Sequence, residues 1–398
     1  MLNHVAGAHR PGSPGELLTL LRDGRARTRS ELADLTGQAR TTVSQRLTVL
    51  TAAGLVRETR EAATTGGRPS AAFVFDGRGN VVLAVDLGAH HATYAVTDLF
   101  GNVLAHATDE IRIADGPAVV MELVLRRLGA LVAGLPGTPR PRAVGIGLPG
   151  PVDHVSGLPT SPPIMPGWDG YAVRRTLAGA FGCPVFVDND ANVLALGERA
   201  VTYPDVADLI YVKVATGIGA GIVSGGLLLH GADGAAGDLG HAYSAAAADR
   251  MCRCGNRGCL ESLAGGPAIA RALSDQGIPA GSPRDILDLV RSGSLPTVQV
   301  LRAAGRAIGE VLTTCTALLN PRVLVVGGEI VDAGEPLLAG IREAVYSRAL
   351  PLASRDLRVV VARSGALGGV IGAAHLAIDG VLSPEHLEPV LAVEAAAG

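Results

Sequence analysis

Three cysteines and a histidine lie close enough along this chain to hold one metal ion. His241 precedes the run Cys252-Arg-Cys254-Gly-Asn-Arg-Gly-Cys259-Leu-Glu261. Three thiolates and one imidazole complete a closed tetrahedral shell, the structural pattern for zinc, because no coordination position stays open. The alternative is three free thiols in a reducing compartment. If one imidazole nitrogen binds the ion, the other can face a ligand, so the metal would orient His241 as a donor. Cys183 and Cys315 have no such neighbours in sequence and are expected to be inert buried thiols.

A second polar cluster follows a strand-like run in Val185-Phe-Val-Asp188-Asn189-Asp190-Ala191-Asn192. Ligands in open α/β sheets sit beyond the carboxyl ends of strands, and Asp beside Asn can accept and donate hydrogen bonds to vicinal sugar hydroxyls. A helix N-cap is the competing account of Asp190. Two glycine loops can cradle phosphate, one at Asp86-Leu-Gly88 and one at Thr216-Gly217-Ile-Gly219-Ala-Gly221, although both sequences also suit ordinary turns.

The elements that must position these groups are legible in outline. Val81 to Gly88 and Ala92 to Thr97 read as strands, Ala143 to Gly150 as a strand and glycine loop, and the run from Val185 as a strand that delivers its polar cluster at the C-terminal end, with a helix at about 116–133 and another running to Ala200. A Pro-rich loop runs through Trp168-Asp169-Gly170. Ahead of them, residues 15–24 read as a helix, a second helix starts from a Thr28 or Ser30 cap and stops at Gly37, and a third spans about Ala39 to Ala53. On the third, Val43, Leu47 and Leu50 fall at i, i+4 and i+7. That places Arg40, Thr41, Thr42, Ser44, Gln45 and Arg46 on its exposed N-terminal part. This is helix-turn-helix spacing, with polar residues where a recognition helix meets base edges. Thr64-Thr-Gly-Gly-Arg68-Pro69 then predicts a wing whose Arg can reach phosphates or a narrow minor groove. A small helical bundle that binds a protein is the alternative.

Composition agrees with that division. The chain has 398 residues, 48% of them hydrophobic and 18% charged, which excludes a disordered or fibrous protein and allows two or three domains. Residues 1–78 hold eleven Arg against seven acidic residues, a balance of +4, and the rest of the chain carries −7. A basic head on an acidic body suits nucleic-acid binding. Of the 34 basic residues only Lys213 is not Arg, a bias that reads as genomic rather than as binding chemistry. The start lacks a basic segment leading into an apolar run, and the apolar window from Val214 to His230 is broken by five glycines, so a cytoplasmic protein with no membrane partner is expected.

The order of these motifs resembles the ROK family, which groups bacterial sugar-responsive repressors with sugar kinases. The winged helix and Gly66-Gly67-Arg68-Pro69 resemble the repressor branch. Gly145-Ile-Gly-Leu-Pro-Gly150, Asp188 to Asn192, Gly217 to Gly221 and the cysteine cluster resemble the shared body. The resemblance implies an α/β, actin-like or hexokinase-type two-lobed ATPase fold behind a winged helix-turn-helix domain. The limits expected are 1–78 for the head, 79–195 for the first lobe, and 196–398 for a second lobe with the zinc site and an oligomerisation surface. It also implies sugar contacts from Asn189, Asp190, His241 and Glu261, and zinc on His241, Cys252, Cys254 and Cys259. Operator DNA, a sugar effector and a homodimer or homotetramer are the implied partners.

Kinase members use the residue matching Asp190 as general base, with Mg²⁺ and loop amides on the phosphates. Here the usual Asp-x-Gly-Gly-Thr-Lys of the first loop is Asp86-Leu-Gly88-Ala89-His90-His91, so ATP and Mg²⁺ binding is expected to be weak or absent. If both rings point to solvent, kinase activity at Asp190 is the alternative. Asp238 replaces the family's usual Glu before Gly-His; one methylene shorter, it leaves room for water or a bulkier ligand. Val323 to Glu329 resembles the strand and turn at the family's adenine side. The function expected is a sugar-responsive transcriptional repressor, with an ATP-dependent sugar kinase or a non-sensing scaffold as the alternatives.

Overall fold

Each helix of the N-terminal head starts where a nearby side chain or turn can supply its first contacts. In the computed structural model, which describes residues 13–59, 71–331 and 334–397, Ser13 accepts the Glu16 amide and starts α1 (Pro14–Leu21). This helix stops three residues short of the predicted end, and Asp23 instead pairs with Arg27 at 2.6 Å. After β1 (Arg27–Thr28), Thr28 and Glu31 form a reciprocal capping box on α2 (Arg29–Thr36), which Gly37 closes at φ 67°. Thr28, not Ser30, is therefore the cap. The third helix, α3 (Arg40–Ala52), buries Val43, Leu47 and Leu50 as its periodicity requires. β2 (Val56–Thr59) and β3 (Ala72–Phe75) pair antiparallel, and β3 also pairs with β1. The expected wing tip with Arg68 lies outside the described residues.

The body contains two five-stranded sheets of the same topology. In the first, β4 (Val81–Leu87), β5 (His91–Asp98) and β6 (Val103–Glu110) form an antiparallel meander. After α4 (Pro117–Ala133), β7 (Pro141–Leu148) joins β4 in parallel; after α5 (Val173–Phe181), β8 (Val185–Asn189) joins β7. The strands at the centre are buried on both faces, whereas β6 at the edge alternates between half-buried and exposed residues. Trp168 is fully buried and donates its indole N–H to the Ile113 carbonyl at 3.1 Å, which pins the Pro-rich loop.

Helix α6 (Asp190–Thr202) leads to the second sheet. There β9 (Leu209–Val214), β10 (Ile218–Ser224) and β11 (Leu227–Leu228) repeat the meander. Short helices α7 (Glu261–Ala264), α8 (Gly266–Ser274) and α9 (Pro283–Arg291) precede the long α10 (Leu295–Leu319). β12 (Val323–Gly327) then adds in parallel to β9, and β13 (Arg358–Val361) adds to β12 after α11 (Glu335–Arg348) and α12 (Pro351–Ser354). The lobe limit expected between residues 195 and 196 falls inside α6.

The chain does not finish in the second lobe. Helix α13 (Gly368–Val381) returns to pack on β4, β7 and α6, and α14 (Pro384–Ala397) continues onto α1 and α3 of the head. One apolar cluster therefore runs from Leu17, Leu21 and Leu50 through Leu387 and Leu391 to Ala373, Ala84 and Val82. Arg22 pairs with Asp379, and Arg142 donates to the Ala53 carbonyl at 2.6 Å across the same junction. Among the described residues no single helix is long and apolar enough to cross a membrane.

The approach of α13 to α6 is close enough to require glycine. A Cβ on Gly372 would lie 1.7 Å from the Val193 carbonyl oxygen, and one on Gly197 would lie 1.9 Å from that of Gly368. Gly372→Ala is expected to lower stability by about 3 kcal/mol, the upper range for overpacking. Gly129→Ala, in α4 with open space around it, should raise stability by roughly 0.5 kcal/mol. Urea denaturation of the two variants against the parent chain checks both signs.

Candidate functional site

The cleft between the two sheets has a volume of about 500 Å³, within the roughly 300–1,000 Å³ of small-molecule sites. Of the predicted residues, Asp86, Asn189, Asp190, Thr216, Gly217, Gly219, Asp238, His241 and Glu261 line it. Gly88 does not. Its position is covered by the His91 imidazole, whose Cε1 lies 2.2 Å from where a Gly88 Cβ would be. The two histidines of that loop separate: His90 is exposed, and His91 turns into the cleft.

Asn189 and Asp190 take different tasks. Asn189 is the N-cap of α6, accepting the Ala191 amide at 2.8 Å, and its side-chain amide donates to the Gly150 carbonyl at 2.8 Å. Asp190, the first residue of the helix, is thus free of capping, and its carboxylate is ion-paired with the Lys213 ammonium from β9. Burial pushes the Lys213 pKa down, but Asp190 and Asp86 outweigh it and hold the ammonium above its ordinary value. Burial also pushes the Asp86 carboxyl up, against the pull of Lys213. Lys213 was not among the predicted site residues; being the only lysine in the chain was its one signal.

Asp188 faces away from the cleft. One of its oxygens accepts from Asn192 Nδ2 at 2.6 Å and from the Asn189 amide at 2.7 Å; the other meets His230 Nε2 at 2.7 Å. The His154 ring stacks on His230 with centroids 3.6 Å apart. His154, Asp188 and His230 have the residue types of a metal site. However, the 2.7 Å contact is a hydrogen bond, short of the roughly 3.3 Å edge of a tetrahedral nitrogen and oxygen shell. The group instead latches the loop after β7 to the loop after β11.

Glu261 accepts the Ile218 amide at 3.1 Å through Oε2. A Cβ on Gly217 would sit 2.7 Å from that oxygen, so the second glycine loop admits the carboxylate rather than a side chain. His241 stands between the cleft and the cysteines. Its Nδ1 is 3.7 Å from Cys252 Sγ, and its Nε2 is 4.0 Å from Asp238 Oδ1. That second separation is beyond a hydrogen bond and leaves space for a bridging water or a ligand hydroxyl.

The ligand atoms of His241, Cys252, Cys254 and Cys259 all lie within 4.8 Å of one another. Cys254 and Cys259 Sγ are 3.7 Å apart, close to the about 3.8 Å edge of a tetrahedron with 2.3 Å metal–sulfur bonds. The four residues therefore form a possible metal site with a closed donor set. Burial raises the Cys252 thiol, and Cys259 is pushed up to about 12 by burial and its thiol neighbours. Burial also opposes ionisation of Cys254, but hydrogen bonds from the Asn256 amide and the other cysteines bring it below the ordinary value. Cys183 is buried as expected, whereas Cys315 is only half-buried on α10; burial raises both thiols, Cys183 to about 11.

In the head, Arg40 donates to Ser30 Oγ at 2.8 Å and Arg46 to Gln38 Oε1 at 2.5 Å, so both brace α3 against α2 and the turn between them. Thr41 and Gln45 are exposed, and Thr42 and Ser44 half-buried. No carboxylate pairs with Arg40 or Arg46 among the described residues. Both therefore keep an uncompensated charge on the α3 face.

A helix-turn-helix domain profile matches residues 15–59. The xylose repressor of Bacillus spizizenii strain W23 is 26% identical over 354 residues, covering 88% of this chain and 91% of its own length. The glucokinase of Thermotoga maritima is 30% identical over 310 residues, covering 74% of this chain and 96% of its own. The crystal structure of a ROK family transcriptional regulator, described as a homolog of the Escherichia coli MLC protein, superposes with a TM-score of 0.80 at 27% identity and covers 95% of this chain and 98% of that one. The ROK family profile matches residues 82–380, and the chain belongs to the ROK family.

Proposed function

We propose that the protein is a transcriptional repressor that binds operator DNA through its head and a sugar in its cleft. One observation carries this reading: the apolar cluster joining the head to α13 and α14 is continuous, and the first turn of α13 lines the cleft beside Asp86. A ligand that draws the lobes together would act on α13 and so on the seat of the head. Only a difference in affinity between two head arrangements can release DNA by that route. The full-length likeness to a xylose repressor supports the same reading.

Asn189, Asp190, Asp238, His241 and Glu261 are assigned to the sugar, with Asn189 limited to what its cap and its bond to Gly150 leave free. Zinc is assigned to His241, Cys252, Cys254 and Cys259, where the donor set and the spacing suit it. Arg40, Thr41, Thr42, Ser44, Gln45 and Arg46 are assigned to DNA, together with Arg68. We assign two heads to each operator through a homodimer or homotetramer, since operators read by such motifs repeat the half-site.

A gel-shift titration with operator fragments selected from random DNA, repeated over a panel of pentoses, hexoses and amino sugars, tests the whole. One sugar should release DNA, and Asp190→Asn should abolish release without weakening binding in its absence. DNA binding that no sugar alters would count against the sensor. Arg46→Ala should cost about 1–3 kcal/mol of operator affinity; unchanged binding would mean that another face of the head meets DNA. Elemental analysis should find one zinc per chain, and Cys259→Ala should lose it and bind the inducing sugar at least tenfold more weakly. Full sugar affinity without metal would remove His241 from the site as assigned.

A further inference from the structure

Three carboxylates from both lobes line the cleft around Lys213: Asp86 on β4, Asp190 at the start of α6 and Glu329 after β12. Converging carboxylates are the donor set that hard divalent cations take. The Lys213 side chain enters from β9 and already supplies a cation: it is ion-paired with Asp190, both side chains are largely buried, and Asp86 and Glu329 lie within its electrostatic reach. Every other basic residue of the chain is Arg. A compact ammonium on a flexible stem fits between carboxylates where a planar guanidinium would need a wider slot.

The residues do not fit a magnesium nucleotide. Nζ is bonded to Asp190 Oδ2, and the His91 ring lies over Gly88, where a loop amide would have to approach phosphate. Five carboxylates, Asp86, Asp190, Glu329, Asp238 and Glu261, line the cleft with one lysine and the His91 and His241 imidazoles, which leaves it short of positive charge for a phosphate dianion.

We infer that Lys213 is the built-in cation of this cleft, that it closes the position to divalent metal and nucleotide, and that it restricts the ligand to an unphosphorylated sugar. The inference rests on the sugar-sensing reading for its ligand class alone; the metal and nucleotide parts stand independently of it.

Isothermal titration of the full chain with Mn²⁺ and with MgATP tests the core. The parent chain should bind neither in the cleft, and Lys213→Ala should gain a Mn²⁺ site at least tenfold tighter, which Asp190→Asn in the same chain removes. Equal Mn²⁺ affinity in parent and Lys213→Ala chains would overturn the proposal. If the variant does not fold, the parent decides: MgATP or Mn²⁺ binding that Asp190→Asn abolishes overturns it, and no such binding supports it. A thermal-shift comparison of xylose, glucose and N-acetylglucosamine with glucose 6-phosphate and N-acetylglucosamine 6-phosphate tests the ligand class. A phosphorylated sugar that stabilises the parent more than its free form overturns that part. A chain that responds to no sugar refutes the sensor reading and leaves the metal titration to judge Lys213.

Discussion

Backbone contact between α6 and α13 is the constraint on which the rest of the structure depends. Most helix pairs are held about 8–10 Å apart by their side chains; here glycines at 197 and 372 remove that spacer, and each backbone meets a carbonyl of the other. The crossing sets where both helices begin. It places Asp190 in the buried lining of the cleft and Gly369 against the Asp86 carboxylate, where a Cβ would lie 1.9 Å from Oδ2. Glu198, fully buried on α6, accepts the amides of Arg363 and Ser364 and fixes the segment that feeds α13. Buried carboxylates without partners are costly, so this bond and the glycine contact must form together.

Local chemistry was legible in the sequence where the physics is local. A cap at Thr28 or Ser30, the i, i+4, i+7 row of α3, and the polar groups delivered near the ends of β4 and β8 follow from neighbours within a few residues. So does the spacing of the three cysteines, which the fold completes with His241. The choice between Asn189 and Asp190 as cap was not legible, because either type can cap a helix. It is decided by Lys213, 23 residues further on. The separate fates of His90 and His91 depend on which way the turn after β4 faces, which composition cannot give.

The return of α13 and α14 left a weaker trace. Arg22 and Asp379 meet across 357 residues, and no local pattern announces such a pair. The run Gly368-Gly369-Val-Ile-Gly372 was the available signal, since small residues four apart on one helix face allow close approach. Lys213 was legible in a different sense. Its solitude among 33 arginines looks genomic at the level of composition; a bias that replaces lysine everywhere else makes the single exception informative.

The same crossing determines how a ligand in the cleft can be felt at the head. A chain of soft contacts would absorb a small displacement, whereas interfaces packed backbone to backbone shift as bodies. At its first turn α13 meets Asp86, along its length it meets α6, and through α14 it joins the cluster that holds α1 and α3. The His154, His230 and Asp188 contacts join the loop after β11 to the first sheet as well. The head is seated on the side of the crossing, through α14. This geometry joins a cleft built around the Asp190 and Lys213 pair to a DNA-binding face that none of the cleft residues touches.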